Sequence, residues 1–553
     1  MTDRWRLPAA CCVAGLVFAA AFIFRFNALG GALGGFDNDH FIYLIRTDTL
    51  LAGEQPLRDF VDAELRGAWP ALTYAVSAGA QQLGGRTLLP EALLTVGALA
   101  LASAIVFLLA LRLSRRWSIA LLAAAVTIVM APKLYNYPKV LMLALGVWAL
   151  LAAIRSPSVL RLGVLAAVTV AAGLFRHDLA LYVGAATVAA LVTRDAGRWK
   201  AAARTVGMYL ALTMACALPS VVWVQMYEGI PSYVRGSLAS VAVERARTEL
   251  FLPGLDLAAP FSGESLLLVT YYVFWAVPAV AAAAWLARVA LPPAARLGPS
   301  DSAAGAALLA MAILANLWFL RANLAERFGD AAAPVVLLAA WTAGTAAAWT
   351  SPAARAVVAL IPAILLVQLF AAAYAFSDVR RELDTSGLSD SWGKIARRLE
   401  AVRDELRGLP PAAWQGHADR SGVLSAARYV AECTTSDDRI LVTGATHEVP
   451  VLARRRFAAG QAMFKLSLYT SERDQQRALA RLGRQSVPIV LADARDFDGG
   501  FLSDYPLVAG YLAEHYRAAG TIDVDEEPRL RVLVDARRPP ARLDARLGLP
   551  CFQ

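Results

Sequence analysis

The sequence predicts an α-helical polytopic membrane protein with about eleven spanning helices and a small C-terminal α/β domain. Three observations predict it. Of 553 residues, 58% are hydrophobic and only 18% are charged, with a mean hydropathy of +0.50, whereas soluble domains run near about 45–50% and about 25%. The apolar residues fall in unbroken runs rather than in alternation, which suits helices and argues against a strand barrel. After Phe376 the composition turns abruptly polar.

The runs at 8–27, 88–111, 117–132, 139–154, 160–175, 179–193, 205–227, 265–287, 304–320, 331–349 and 356–376 read as spans. A crossing helix needs about 20 residues, so 139–154, 160–175 and 179–193 are short. The first run, Pro8 to Phe26, is long for a signal-peptide core and no small-x-small cleavage site follows it, so it reads as an uncleaved signal anchor. Alternate loops carry Arg4 and Arg6; Arg112, Arg115 and Arg116; Arg155 and Arg161; Arg194, Arg198, Lys200 and Arg204; Arg288 and Arg296; and Arg355, with few acids between them. Placing these loops inside puts the N-terminus in the cytoplasm. An odd number of spans then leaves the loop at 28–87 and everything after Ser377 outside.

The net charge of +9 is scattered through these short clusters, a pattern that speaks against a nucleic-acid partner. The five cysteines lack metal spacing: Cys11, Cys12 and Cys216 fall in apolar helices, where buried packing is expected. Cys433 and Cys551 lie in the polar C-terminal region, where an oxidising compartment would allow a disulfide.

Asp37-Asn38-Asp39, at the head of the loop at 28–87, is the first candidate site. Carboxylates at a membrane surface are costly and mark function. Two of them, one residue apart, suit a general base or a divalent cation such as Mg, Mn or Ca. The alternative is an Asx turn after the glycine-rich 30–35 stretch. Phe41, Leu44 and Ile45 form an apolar stripe beside polar Arg46 and Asp48, and Pro70 to Gln82 forms a second helix with Leu72, Val76, Gly79 and Leu83 on one face. Pro70 suits its start and Gly84-Gly85 its end. Both helices read as lying in the interface. The outer loops also carry Arg58, Arg66, Lys133, Lys139, Arg176, Arg321 and Arg327. An anionic headgroup or phosphate would account for basic residues there, as would snorkelling from span ends.

The order of parts resembles the GT-C superfamily of polytopic glycosyltransferases that use polyprenyl-phosphate sugars, among them protein O-mannosyltransferases, aminoarabinose transferases and bacterial arabinosyltransferases. The resemblance is carried by a cytoplasmic N-terminus, one span, the Asp-x-Asp, an interfacial helix ending in Ala52-Gly53, then Gln55-Pro56-Leu57-Arg58-Asp59-Phe60 and a Pro-initiated helix closing on Gly84-Gly85. Tyr135-Asn136-Tyr137-Pro138-Lys139, Gly173-Leu174-Phe175-Arg176-His177-Asp178 and the loop at 321–330 fit in the same order. It implies an inverting hexosyl or pentosyl transferase in a bacterial inner membrane, acting on an exterior glycan, lipid or protein acceptor. Asp37 or Asp39 would be base or metal ligand. Lys139, Arg176 and Arg321, with Arg58, Arg66, Lys133 and Arg327 beside them, would hold the donor phosphate. His177-Asp178 would either hold a sugar hydroxyl or orient Arg176, or else cap the next helix. A non-enzymatic lipid or polysaccharide transporter and an oligosaccharide ligase are the alternatives. The duplicated halves of many transporters are not evident in the chain.

Composition sets the domain boundaries at 1–376 for the membrane domain, 377–411 for an amphipathic linker and 412–553 for the exterior domain. Trp392, Ile395, Leu399, Val402 and Leu406 keep helical spacing. Strands at 439–443, 487–492 and 529–535, with helices at 471–484 and 504–518 between them, predict a small α/β sheet. Thr443-Gly444-Ala445-Thr446 lacks the spacing and lysine of a phosphate loop. The domain therefore reads as an acceptor-recognition element or a lid, with Tyr511, His515 and Tyr516 as helix-face packing.

Overall fold

The computed structural model describes residues 6–29, 36, 38–61, 71–130, 132–247, 262–290, 297–320, 324–376, 379–387, 391–408, 422–444, 446–464, 467–524 and 527–553. The chain divides into two compact units, one built from residues 1–29, 93–219 and 248–400, the other from 30–92, 220–247 and 401–553. Composition marks the 376 boundary, whereas packing groups the first loop with the C-terminal domain.

Each apolar run is a helix: α1 Arg6–Ala28, α4 Leu88–Ser114, α5 Trp117–Val129, α6 Tyr137–Arg155, α7 Val159–Phe175, α8 His177–Arg194, α9 Trp199–Tyr227, α11 Gly263–Ala290, α12 Pro299–Asn316, α13 Leu324–Thr345 and α14 Pro352–Phe376. Among the described residues, 7 helices are long and apolar enough to cross a membrane, and α5 and α7 are shorter apolar helices. The protein is a multi-pass membrane protein. The cysteines of α1 and α9 are exposed rather than buried, because an outward face of a spanning helix packs on lipid. In the first unit, α8 lies along α12, and α13 packs between α11, α12, α14, α5 and α6. Gly344 lets α13 approach α4: a Cβ there would sit 2.0 Å from the Leu113 carbonyl oxygen, the small-residue device of membrane helix packing. Phe274, Phe319 and Phe328 pack together at 5.0–5.2 Å, with Phe274 stacked on Phe328 and Phe319 edge-on to both. The short α15 Val379–Ser386 packs on α1, where the Asn27 amide donates to the Ser386 carbonyl at 2.6 Å.

The second unit opens with α2 Asn38–Leu51 and α3 Ala71–Gly84. The stripe of Phe41, Leu44 and Ile45 on α2 is buried as its spacing predicts, but Arg46, expected on the polar side, is fully buried too. On α3 the inward face is Thr73, Tyr74, Ser77, Ala78 and Gln81, while Leu83 is 93% exposed. Leu72, Val76 and Gly79 are half-buried, so the predicted apolar face turns fully outward only at Leu83, as an interfacial helix allows when lipid lies outside it. Gly85, at φ +92, ends α3 by donating its N–H to the Gln81 carbonyl at 2.9 Å. This left-handed position is one that glycine fills without steric cost. Helix α10 Ile230–Arg247 belongs to this unit, and α16 Trp392–Gly408 buries Ile395, Val402 and Leu406.

The C-terminal domain follows with α17 Val423–Cys433, β1 Arg439–Val442, α18 Glu448–Leu452, β2 Arg456–Phe457, α19 Glu472–Leu482, β3 Ile489–Asp493, a helix at Pro506–His515, β4 Tyr516–Val524 and β5 Glu527–Asp535. The sheet order is β2-β1-β3-β5-β4, parallel across β2-β1-β3 and antiparallel beyond. The helix expected over 504–518 stops at His515. Tyr516 instead starts β4, whose Ala-Ala-Gly stretch hides the strand alternation. Cys433 and Cys551 form a disulfide. The first loop is fastened to this sheet. Glu54 accepts hydrogen bonds from both Arg439 and Arg456, Phe60 meets Phe457 edge-on at 5.7 Å, and the Val61 N–H donates to the Gly460 carbonyl at 2.9 Å.

Candidate functional site

In the membrane unit, charged residues collect where the N-terminal ends of α6, α8 and α13 meet the C-terminal ends of α7 and α12. Lys139 lies in the first turn of α6, behind Pro138, which presets a helical φ. Its buried ammonium donates to Asp330 Oδ2 of α13, itself fully buried. Arg327, one turn earlier, reaches the same carboxylate at 3.6 Å. Arg176 joins α7 to α8 in an extended conformation (φ −161, ψ 131), ending one helix and starting the next. It donates through Nε and Nη2 to the two Asp178 oxygens at 3.1 and 2.9 Å.

Trp318 connects these pairs. Its indole N–H donates to Asp178 Oδ2 at 3.0 Å, and the Lys139 ammonium sits 5.2 Å over its ring. Lys139, Arg176 and Arg327 carry three positive charges against two negative ones on Asp178 and Asp330, a surplus of one. The helix N-termini add partial positive charge of their own. Three buried polar atoms here lack a hydrogen-bond partner among the described residues: Arg327 Nε, Asp330 Oδ1 and the Asn136 amide nitrogen. Buried polar groups are normally satisfied, so such orphans ask for a ligand or water.

Lys139, Arg176, Asp178 and Arg327, all sequence candidates, are thus brought together. Of the alternatives for Asp178, the structure shows both an ion pair with Arg176 and acceptance of the Leu179 N–H in the first turn of α8. Lys133 and His177 flank the cluster along the chain, with Lys133 preceding the turn at Leu134–Asn136. Arg321 lies outside the described residues, as do Asp37 and Arg66. The opposite ends of α4, α6 and α13 line a cavity of about 340 Å³ with Arg112, Arg115, Arg155 and Asp301.

In the second unit, Asp39 stands half-buried in the first turn of α2. His40 beside it is buried, with Nε2 3.0 Å from Glu91 Oε1, and Ser77 Oγ donates to Glu91 Oε2 at 2.5 Å. Phe36 packs on the imidazole at 4.7 Å. This network, which fixes the start of α2, was not part of the sequence expectation. Its signal was present, since Glu91 is an acid inside a long apolar run, and such residues are functional candidates by default. Arg46 lies over the Tyr74 ring at 6.0 Å. Burial first, and then the Arg46 charge, pushes His447 down to about 3, so this histidine stays neutral at physiological pH. Arg58, expected near the donor phosphate, donates instead to Asp59 at 2.8 and 2.6 Å. With Arg477, Arg481 and Arg484 it lines a shallow cavity of about 260 Å³.

Asp37 and Asp39 are the expected ligands of a divalent cation, and of the two only Asp39 falls within the described residues. Among the described residues the only cluster with metal-ligand spacing is Cys433, Asp544 and Cys551. Its two sulfurs are bonded to each other.

The fold is similar to two solved structures of ArnT from Cupriavidus metallidurans. To the one bound to undecaprenyl phosphate the TM-score is 0.48, with 15% identity over 100% of both chains. To the apo state it is 0.43, with 14% identity over 96% of this chain and 98% of the other. At these values the likeness assigns no role to any residue here. No protein-family model matches the sequence, and no curated protein does.

Proposed function

We propose that this protein is an inverting glycosyltransferase that moves a sugar from a polyprenyl-phosphate donor to an acceptor outside the bacterial inner membrane. The observation that carries the reading is the cluster of Lys139, Arg176 and Arg327. It has one positive charge in excess, and Arg327 Nε and Asp330 Oδ1 are buried without partners among the described residues. An anion with neighbouring hydroxyls would satisfy all of these: phosphate oxygens on the cations, a sugar hydroxyl on Asp330.

The chemistry needs little more. A carboxylate of the first loop, Asp39 or Asp37, takes the proton of the acceptor hydroxyl. The hydroxyl oxygen attacks the anomeric carbon, the bond from that carbon to the phosphate oxygen breaks, and the departing polyprenyl phosphate keeps the electron pair. Cations already in place stabilise the charge that develops there. His40, Glu91 and Ser77 hold the first turn of α2 in position. A divalent cation held by Asp37 and Asp39 would add Lewis-acid stabilisation of the phosphate.

The orientation is part of the proposal. The Cys433–Cys551 disulfide favours an oxidising compartment for the C-terminal domain, and the arginine-rich opposite helix ends suit the cytoplasm. The test is transfer by the purified chain in nanodiscs supplied with undecaprenyl-phosphate sugars and a panel of envelope acceptors. Release of free undecaprenyl phosphate that depends on Lys139 and Arg176 is expected. Failure of every such donor to bind or turn over would refute the reading.

A further inference from the structure

A third basic cavity, of about 550 Å³, lies wholly within the second unit, walled by α2, α3, the link into α4 and the turn after α18. Leu44 and Asp48 come from α2, Gln81 from α3, Arg86 and Thr87 from the link, and Arg454 from the turn. Its volume is in the ordinary range for a small-molecule site, about 300–1,000 Å³.

Four arginines and one carboxylate line it, but they are not equivalent. Arg455 donates to Thr434 Oγ1 and to the carbonyls of Ala431, Thr434 and Ala453, so it is structural. Arg456 donates to Glu54. Arg86 and Arg454 are both exposed, Arg454 Nη2 donates to the Arg86 carbonyl at 3.2 Å and so holds the two beside each other, and both act on the Asp48 carboxylate across the cavity. Thr87 adds a hydroxyl that no described residue bonds.

The place of the cavity indicates the kind of ligand. Arg86 and Thr87 immediately precede Leu88, where an apolar helix long enough to cross the membrane begins, and the fully exposed Leu83 lies just before them. The cavity is therefore at headgroup depth. Snorkelling accounts for Arg86 alone. It does not account for Arg454, which belongs to the C-terminal domain and to no membrane helix. Arg454 also holds a left-handed backbone, φ +53, at the end of α18. Glycine fills that conformation without strain, and an arginine kept there at a steric cost points to its side chain.

We infer that this cavity binds the phosphate group of an anionic membrane amphiphile, with Arg86 and Arg454 on the phosphate and the chain of the lipid leaving past Leu83. The site shares no residue with the donor site proposed above and does not depend on that reading. Asp48 faces the phosphate as a like charge and limits how tightly it is held.

Native mass spectrometry of the full chain, released from nanodiscs of phosphatidylglycerol and phosphatidylcholine, reads retention directly. Wild type should retain phosphatidylglycerol over phosphatidylcholine. Arg86→Ala and Arg454→Gly should each weaken that retention about fivefold, the worth of one cation at an anionic surface, and Asp48→Asn should strengthen it. Arg454→Gly suits the backbone, so its thermal unfolding should match or exceed that of wild type, which separates lost binding from lost folding. An arm with inorganic phosphate identifies the source: full competition means that the phosphate group suffices, and absence of competition means that the lipid body is read as well. Unchanged retention in both arginine variants, or weaker retention in Asp48→Asn, overturns the proposal.

Discussion

Replacing Asp330 by Asn strands two cations at once. Lys139 is buried against its carboxylate, and Arg327 lies 3.6 Å from the same oxygen. At that distance an attraction of about 5 kcal/mol is lost for an effective dielectric of about 20. Removing one partner of a buried pair costs about 3–5 kcal/mol. Lys139→Met should cost less, because Arg327 stays beside Asp330 as a counter-ion. The double variant, Lys139→Met with Asp330→Leu, removes the buried pair but leaves Arg327 without its carboxylate, so it should recover only part of the stability lost in Asp330→Asn. Its transfer activity should nonetheless be gone, since the phosphate loses a donor and the sugar an acceptor. Thermal unfolding in nanodiscs reads the stability, and release of undecaprenyl phosphate reads the chemistry. A double variant that regains both stability and activity would make the cluster purely structural and sink the reasoning.

Asp39→Asn, tested together with Asp37→Asn, should lower transfer by about 10²–10⁴ without loss of folding; full activity in both variants would remove the base. Burial raises Asp48 from 3.8 to about 6, so the folded state holds a proton that the unfolded state has released between those values. Stability should therefore fall as pH rises from about 4 to about 6, by up to about 3 kcal/mol. Asp48→Asn should abolish that slope in denaturation measured across the range. A tag after Gln553 should be accessible from outside intact cells and one at Met1 should not, as protease protection would report. Reduction of Cys433–Cys551, which closes a separation of 118 residues, should cost about 2–5 kcal/mol, visible as a lower unfolding temperature in dithiothreitol.

What the sequence disclosed followed from periodicity and chain-local chemistry. Every unbroken apolar run became a helix, because burial of backbone in lipid leaves no alternative. The joints around Lys139 and Arg176 were legible as breaks between the apolar runs at 117–132, 139–154, 160–175 and 179–193, and Lys139, Arg176 and Arg327 lie in one cluster. The pairing of Lys139 with Asp330 was hidden, since 191 residues separate them. Trp318, which ties that pair to Arg176 and Asp178, gave no signal beyond being aromatic. Arg46 was misplaced because a charged residue on a helix reads as solvated, whereas here Tyr74 receives it. The inward face of α3 is polar for the same reason that the outward faces of α1 and α9 expose cysteines: next to lipid, the usual amphipathic rule runs backward.

The attachment of Glu54 to Arg439 and Arg456 bears on how the protein is made. Those partners lie 385 and 402 residues further along the chain. At about 5–20 residues per second, the ribosome needs on the order of 20–80 s to reach them. Throughout that interval the loop that carries Glu54 exists without the sheet it leans on. The segment that carries Asp39, the proposed base, is thus completed by the last quarter of the polypeptide. On the proposed function, a chain truncated before residue 456 should lack transfer activity, which release of undecaprenyl phosphate would report.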